Sequence, residues 1–484
     1  MTASEALDAF RAAAPIRRLF LVYCAFRVCV VRAFRSAVSG RPEGLHYIDV
    51  KNALGVRHRG EIATVSDTLQ TDRVLAKARR RLIPFLFLLY IVAYLDRINV
   101  GFAALQMNQA LGFSATVYGF GAGIFFLSYV LFEIPSNVIL ARVGARLWIA
   151  RIMITWGLVS SATMFVRSAS GFYTLRFLLG LAEAGFFPGI IFYLTRWFPA
   201  RERARTIAAF MTATLMAGVV GGPISGTLLS LHGFGGLAGW QWLFLLEGVP
   251  SIVLGFVVLK VLAERPEEAT WLTGPERAAL VACLREDAGT KRPETTRTAL
   301  GNGRTWLLAI VYFTIPVTLY GIGFFLPQML KTASGSSDFI VGLLSAVPYA
   351  AGAIAMVIVG RHSDRTGERR WHVLVPALVG AAGLALSAAS TGVAWSVVTL
   401  SIAMLGLASM FGPFWALATS TMGGVGAAAS IALVNSVGNT GGFVGPYLLG
   451  AINDATHSFA GGLMAIAVML AAGASLVLFV RDDG

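Results

Sequence analysis

About twelve stretches of some twenty predominantly apolar residues follow one another along this chain. That is the length an α-helix needs to cross the roughly 30 Å hydrocarbon core of a bilayer. The runs lie near 82–103, 116–140, 147–166, 171–195, 205–230, 240–262, 304–329, 339–360, 371–390, 394–418, 428–451 and 459–480. With no water to satisfy backbone amides, such segments must close their hydrogen bonds internally, as helices do. Composition agrees: 56% of residues are hydrophobic and 13% charged, against roughly 45–50% and about 25% in soluble domains. Mean hydropathy is +0.71. The expected fold class is an all-α integral membrane protein with 12 transmembrane helices in two pseudo-symmetric six-helix bundles.

A polar gap rich in Glu and Arg separates the sixth and seventh runs, so the chain divides into halves. The expected domains are an N-terminal extension over 1–75, a six-helix bundle over 76–262, a linker over 263–302 and a second bundle over 303–484. The formal net charge of +14 raises the question of nucleic acid, but the basic residues fall in short gaps between apolar runs. Arg142 and Arg146 follow the second run, Arg196, Arg201, Arg203 and Arg205 the fourth, and Arg361, Arg365, Arg369 and Arg370 the eighth. The gaps 231–239 and 391–394 contain no Lys or Arg. Arginine-rich loops stay in the cytoplasm, so both termini and the linker are expected there. No nucleic-acid partner is expected; the partners are the lipid bilayer and a small solute, and the chain is expected to be a monomer in a bacterial inner membrane. Three cysteines, Cys24, Cys29 and Cys283, form neither a disulfide framework nor a metal site. The stretch 16–38 is too rich in arginine to span, and residues 1–75 are expected to be a poorly ordered leader or a basic interfacial helix.

Ionisable groups within spanning helices are costly and mark pathways. Here they gather in the first half: Asp96 and Arg97 on the first run, Glu133 on the second, Arg176 and Glu183 on the fourth, Glu247 on the sixth. A cavity between the halves would then be charged on one wall and polar on the other. Arg176 and Glu183 lie about two turns apart on one helix face. Arg97 and Arg176 can offer planar, bidentate recognition of a carboxylate. Asp96 and Glu183 are the groups able to take up and release a proton. Asp96 is expected to be held charged by adjacent Arg97, and Glu183 to be the less tightly paired of the two. Glu133 and Glu247 fit structural roles better. Tyr320 on the seventh run and Asn435 and Asn439 on the eleventh are weaker candidates for substrate contact, as are Tyr94 and Tyr129, since a membrane tyrosine more often packs.

The halves also repeat motifs. The gap after the eighth run reads GRHSDRTGERR, from Gly360 to Arg370, and its first-half counterpart is Ala141-Arg142-Val143-Gly144-Ala145-Arg146. GVVGGPISG (218–226) on the fifth run and GNTGGFVGPYLLG (438–450) on the eleventh each place glycines and a proline on an apolar helix, permitting close contact and a bend. Repeated halves enclosing a midplane site are a transporter architecture.

The loop motif at Gly360, Asp364, Arg365, Gly367 and Arg369 resembles the cytoplasmic signature of the major facilitator superfamily; its first-half copy, with Arg142, Gly144 and Arg146, has Ala141 where that family has Asp. The segments YIVAYLDRINVGFA, FEIPSNVILARVGARLWIARIMITWG, RFLLGLAEAGFFPG and ERPEEATWLTGPER resemble the anion:cation symporter family within it, over residues 78–480. The tartrate and phthalate permease branch is the nearest in appearance. The resemblance implies proton-coupled uptake of a small organic carboxylate, strengthens Tyr94 and Tyr129 as substrate contacts, and implies no cofactor beyond the coupling proton. A facilitator or antiporter without proton coupling is the alternative. A membrane enzyme would need a catalytic or metal constellation, but the six histidines are scattered. An ATP-driven pump would need a phosphate loop, and no GxxxxGK[ST] occurs.

Overall fold

The computed structural model describes residues 59–199, 202, 206, 212–288, 302–421 and 427–480, and all its regular elements are helical. In the first half these are α1 (Arg59–Leu111), α2 (Ala115–Val143), α3 (Ala145–Ala162), α4 (Ala169–Glu183), α5 (Phe186–Thr195), α6 (Ala213–Leu229) and α7 (Gly239–Val261). A linker helix, α8 (Gly274–Ala288), leads to α9 (Gly303–Ser334), α10 (Asp338–Thr366), α11 (Arg370–Ala388) and α12 (Val393–Thr421). The chain closes with α13 (Ala427–Asn439), α14 (Gly441–Thr456) and α15 (Ala460–Ser475). Ten spans are long and apolar enough to cross a membrane, the fourth of them being α4 and α5 in series. The fifth run is the shorter apolar helix α6. The eleventh is α13 and α14 end to end at Thr440. Twelve runs thus become twelve spans.

Large apolar side chains face outward along these spans, among them Leu131, Ile134, Phe256, Ile354 and Val468. That is the surface a bilayer covers. Inside, buried ionisable groups among the described residues are Asp96, Glu133, Arg176, Glu183 and Glu247, all in the first half. The second half buries only serines and threonines in their place. Two features depart from the sequence reading. Helix α1 runs back to Arg59, and Val74 and Leu75 are buried in the core, so part of the expected extension belongs to the bundle. Residues 1–58 lie outside the described residues. The fourth span also breaks directly after Glu183, where Gly185 adopts φ +87°. A side chain at Gly185 would sit 2.3 Å from Ser136 Oγ, so glycine is needed on both counts. The freed carbonyls find partners: Ser136 Oγ donates to Ala184 O at 2.6 Å, and Arg151 Nη1 to Ala182 O at 3.4 Å.

The halves meet chiefly through three helix pairs, α6 with α10, α2 with α14, and α1 with α9. All three contacts concentrate toward the arginine-poor end. At the crossing of α6 and α10 glycine lies on glycine: a Cβ on Gly222 would be 2.3 Å from Gly342 O, and one on Gly342 would be 2.2 Å from Gly222 O. Such approach lets backbones pack directly. Polar links finish the seal at this end. Gln106 Nε2 donates to Asp338 Oδ2 at 2.8 Å. Asp454, at the end of α14, accepts from the first two amides of α2, Ala115 N at 2.9 Å and Thr116 N at 2.8 Å. It thereby caps a helix of the opposite half. At the arginine-rich end, α13 touches α2 where Asn435 Nδ2 donates to Glu133 Oε1 at 3.2 Å.

Candidate substrate and coupling site

Helix geometry separates the two charges of the Asp96–Arg97 dipeptide. Successive residues point about 100° apart around an α-helix, so adjacent side chains go to different neighbours. Arg97 turns toward the junction of the halves, on the face that also carries Tyr90 and Tyr94. It pairs with Glu183 Oε1 through Nη2, and its Nη1 donates to Tyr320 Oη on α9 at 3.0 Å. The guanidinium carbon lies 5.7 Å from the ring of Tyr94, 5.5 Å from Tyr129 and 5.4 Å from Phe125, inside an aromatic cage. Nε has no partner. Within Ile91–Val100 every other residue is buried, and the Arg97 side chain alone retains 11% exposure. Arg97 is thus the point of this stretch that solvent touches.

Asp96 turns inward instead, between α3 and α7. It accepts hydrogen bonds from Trp156 Nε1 at 2.7 Å, from Ser160 Oγ at 2.8 Å and from Ser251 Oγ. All three donors are neutral, and no arginine reaches it. This corrects the expectation that Arg97 holds Asp96 charged. Trp156 and Ser160 stand one turn apart on α3, a polar pair on an apolar face that could have been noticed in the sequence. Their common target could not.

The expectation that Glu183 is the less tightly paired of the two carboxylates also fails: Glu183 forms the ion pair and Asp96 does not. Seven residues put Glu183 about 10.5 Å along the axis from Arg176, and Glu183 goes to Arg97. Arg176 is fully buried and leans on the backbone of α2, donating from Nη2 to Ala122 O at 3.1 Å and from Nε to Gly121 O at 3.4 Å. Its guanidinium lies 5.1 Å from Phe125 and 5.9 Å from Phe324, and Nη1 is left without a partner. Arg97 and Arg176 thus flank Phe125, with only Arg97 reachable in this conformation.

Tyr94, Tyr129 and Tyr320 converge on Arg97, and Tyr320 brings the second half into the cluster. Asn435 and Asn439 do not act as a pair. Asn435 is engaged by Glu133, which becomes a link between the halves rather than an element of one. Asn439 ends α13 at the break of the eleventh span, part-buried and with no side-chain hydrogen bond among the described residues. Glu247 accepts from Ser225 Oγ at 2.8 Å, joining α7 to α6.

The repeated loop motifs take two forms. In the second half Gly367 caps α10 with φ +71°, and Arg369 Nη1 donates to Asp364 Oδ1 at 2.7 Å and Ser363 Oγ at 2.9 Å. Gly360 and Arg365 lie on the last turns of α10. In the first half, where Ala141 replaces the acid, Glu264 reaches in from the linker. It accepts from Ala145 N at 2.9 Å and Arg146 N at 2.8 Å, and pairs with Arg196. Arg146 also donates to Leu259 O, while Arg142 stays exposed. Gly144 sits between with φ +100°. A carboxylate 119 residues beyond Ala145 thus caps the start of α3, while the Arg146 side chain goes elsewhere.

The Major Facilitator Superfamily profile matches residues 86–446. A protein of Agrobacterium vitis that carries a tartrate-transporter name is 51% identical, covering 87% of this chain and 94% of its own length. A protein of Pseudomonas putida named as a metabolite transport protein, NicT, is 44% identical over 84% of this chain and 94% of its own length. Among solved structures, a bacterial homolog of the human lysosomal transporter Spinster, in an inward-facing and occupied conformation, superposes with a TM-score of 0.69. It is 17% identical and covers 83% of this chain and 96% of its own.

Proposed function

Because the chain belongs to the major facilitator superfamily, and is a multi-pass membrane transporter rather than an enzyme, we propose that it carries a small hydroxylated organic carboxylate together with a proton. Tartrate is the first candidate, from the name of the Agrobacterium relative. The observation that carries this reading is the position of Arg97, which bridges Glu183 of one half and Tyr320 of the other and is the one reachable cation of the cluster. An incoming carboxylate competes with Glu183 for the Nη2 donor. Displaced into apolar surroundings without its counter-charge, Glu183 takes a proton on its free carboxyl oxygen, so the loaded site gains no net negative charge. Release of the anion returns Arg97 to Glu183 and expels the proton. Tyr94, Tyr129 and Tyr320 offer hydroxyls to the substrate's hydroxyl groups. Arg176 supplies positive potential, and its unpartnered Nη1 can join the anion when the site rearranges. Asp96 is the second proton carrier, set among neutral donors.

The coupling roles have a paired test. Glu183→Gln imitates the protonated residue, so counterflow exchange of tartrate in proteoliposomes should continue while accumulation driven by a pH gradient falls about tenfold or more. Asp96→Asn should behave likewise. If both variants accumulate substrate as the wild type does, these carboxylates are not coupling sites and a facilitator is the better description.

The arginine-rich end is assigned to the cytoplasm of a bacterial inner membrane, and the working unit to a monomer. Contact concentrated at the opposite end then makes this conformation inward-facing. In a cysteine-free background, Thr391→Cys should react with a membrane-impermeant maleimide added outside intact cells. Labelling only after the membrane is opened would reverse the topology.

A further inference from the structure

The overhang of α1 beyond the apolar run carries a basic face. Arg73, Lys77, Arg80 and Arg81 recur at intervals of four, seven and eight residues, which places them on one face of the helix. The opposite face, Val74, Leu75, Ala78 and Leu82, is buried against the bundle. With Ala76 and Trp271 the four cations line a cleft of about 670 Å³. Trp271 is held by stacking on Trp197, with centroids 5.6 Å apart and planes 15° from parallel. The Arg81 guanidinium lies 5.3 Å from its ring. Lys77 is committed to Glu276 at 2.7 Å, on α8, but Arg73 and Arg80 form no ion pair among the described residues. The indole N–H of Trp271 has no acceptor either.

The side chains of this cleft present donors and positive charge, with no carboxylate among its lining residues. Its height fixes what can fill it. Arg81 directly precedes the apolar run, and Arg73 stands eight residues, about 12 Å, further out. That interval crosses the headgroup layer, which adds roughly 5–8 Å on each side of the hydrocarbon core. Lipid phosphates are concentrated at this level. We propose that the cleft binds the headgroup of an anionic phospholipid, its phosphodiester held by Arg73, Arg80 and Arg81 and its glycerol side against Trp271. Because the cleft joins α1 to the linker segment before α8, the bound lipid would fasten the linker to the first span.

The test uses the full-length protein in mild detergent, titrated with short-chain phosphatidylglycerol and, separately, short-chain phosphatidylcholine, with native mass spectrometry as the readout. Phosphatidylglycerol should bind and phosphatidylcholine should not. The Arg73→Gln/Arg80→Gln variant should weaken phosphatidylglycerol binding about tenfold or more. Arg142→Gln/Arg361→Gln, which removes two exposed arginines at the same end but outside the cleft, should leave it within about twofold. Equal loss in both variants would reduce the effect to diffuse surface charge and overturn the proposal, as would undiminished binding in the first. Inorganic phosphate at matched ionic strength should not displace the lipid; displacement at equal affinity would make free phosphate the ligand instead. Melting temperatures of lipid-free variants, compared with wild type, separate lost binding from lost fold.

Discussion

Replacing Arg97 by lysine is expected to reduce uptake about 100-fold or more, which corresponds to roughly 2.7 kcal/mol, while the protein stays folded in the membrane. Charge is preserved in this substitution, so a purely electrostatic role would survive it. Geometry is not preserved. Arg97 spends one Nη on Glu183 and the other on Tyr320 while its plane lies among three aromatic rings. A lysine has one compact ammonium and cannot hold both partners from the same backbone position. It would pair with Glu183 and leave Tyr320 without its donor, or the reverse. The incoming carboxylate would lose the planar fork that binds two oxygens at once. The measurement is tartrate counterflow in proteoliposomes with equal amounts of folded protein, so that coupling is excluded from the readout. Near wild-type affinity in Arg97→Lys would make the residue a structural link between the halves and leave substrate recognition to be sought elsewhere.

The other large effect is expected from a single methyl group. Gly342→Ala places a Cβ 2.2 Å from Gly222 O, a distance no side chain occupies without moving a backbone. The two glycines belong to opposite halves, so parting the halves at this end would relieve the clash. Overpacking of this kind costs about 2 kcal/mol, so the equilibrium should shift roughly 30-fold toward the open arrangement, with transport slowed in proportion. Gly222→Ala should do the same from the other side. Hydrogen–deuterium exchange should rise along α6 and α10 near the crossing and remain unchanged in α11 and α12. Full transport with unaltered exchange would show that the helices yield locally and that this crossing does not govern closure.

The architecture was legible in the sequence because membrane burial writes itself into long uniform stretches. Twelve runs, two halves and a polar linker could be marked out directly. So could the confinement of charge to the first half, since a buried ion is rare enough to stand out singly. What could not be read was partnership. Asp96 and Arg97 are neighbours in sequence and strangers in space, because a helix turns about 100° per residue. Arg176 and Glu183 share a face yet stand too far apart along it. Each finds its true partners on other helices, Trp156, Ser160 and Ser251 for Asp96 and Arg97 for Glu183, and these depend on how the helices cross. The break after Glu183 was present as Ala184-Gly185 but resembled any other small-residue pair on a membrane helix. Glu264 lay among several linker acids, and nothing local marked it as the one that caps α3.

Asp454 gives the closure of this molecule a further meaning. The carboxylate that completes the first turn of α2 belongs to α14, in the other half. Helix α2 is therefore finished only while that end is shut. When the halves part there, two amides lose their acceptor, and the first turn of α2 becomes a helix start like any other, held by Ser114 alone. A cap is worth about 1 kcal/mol, so an opening at that end would undo a small piece of folding and a closing would restore it. A transport cycle that opened this end would make and break this helix start at every turn.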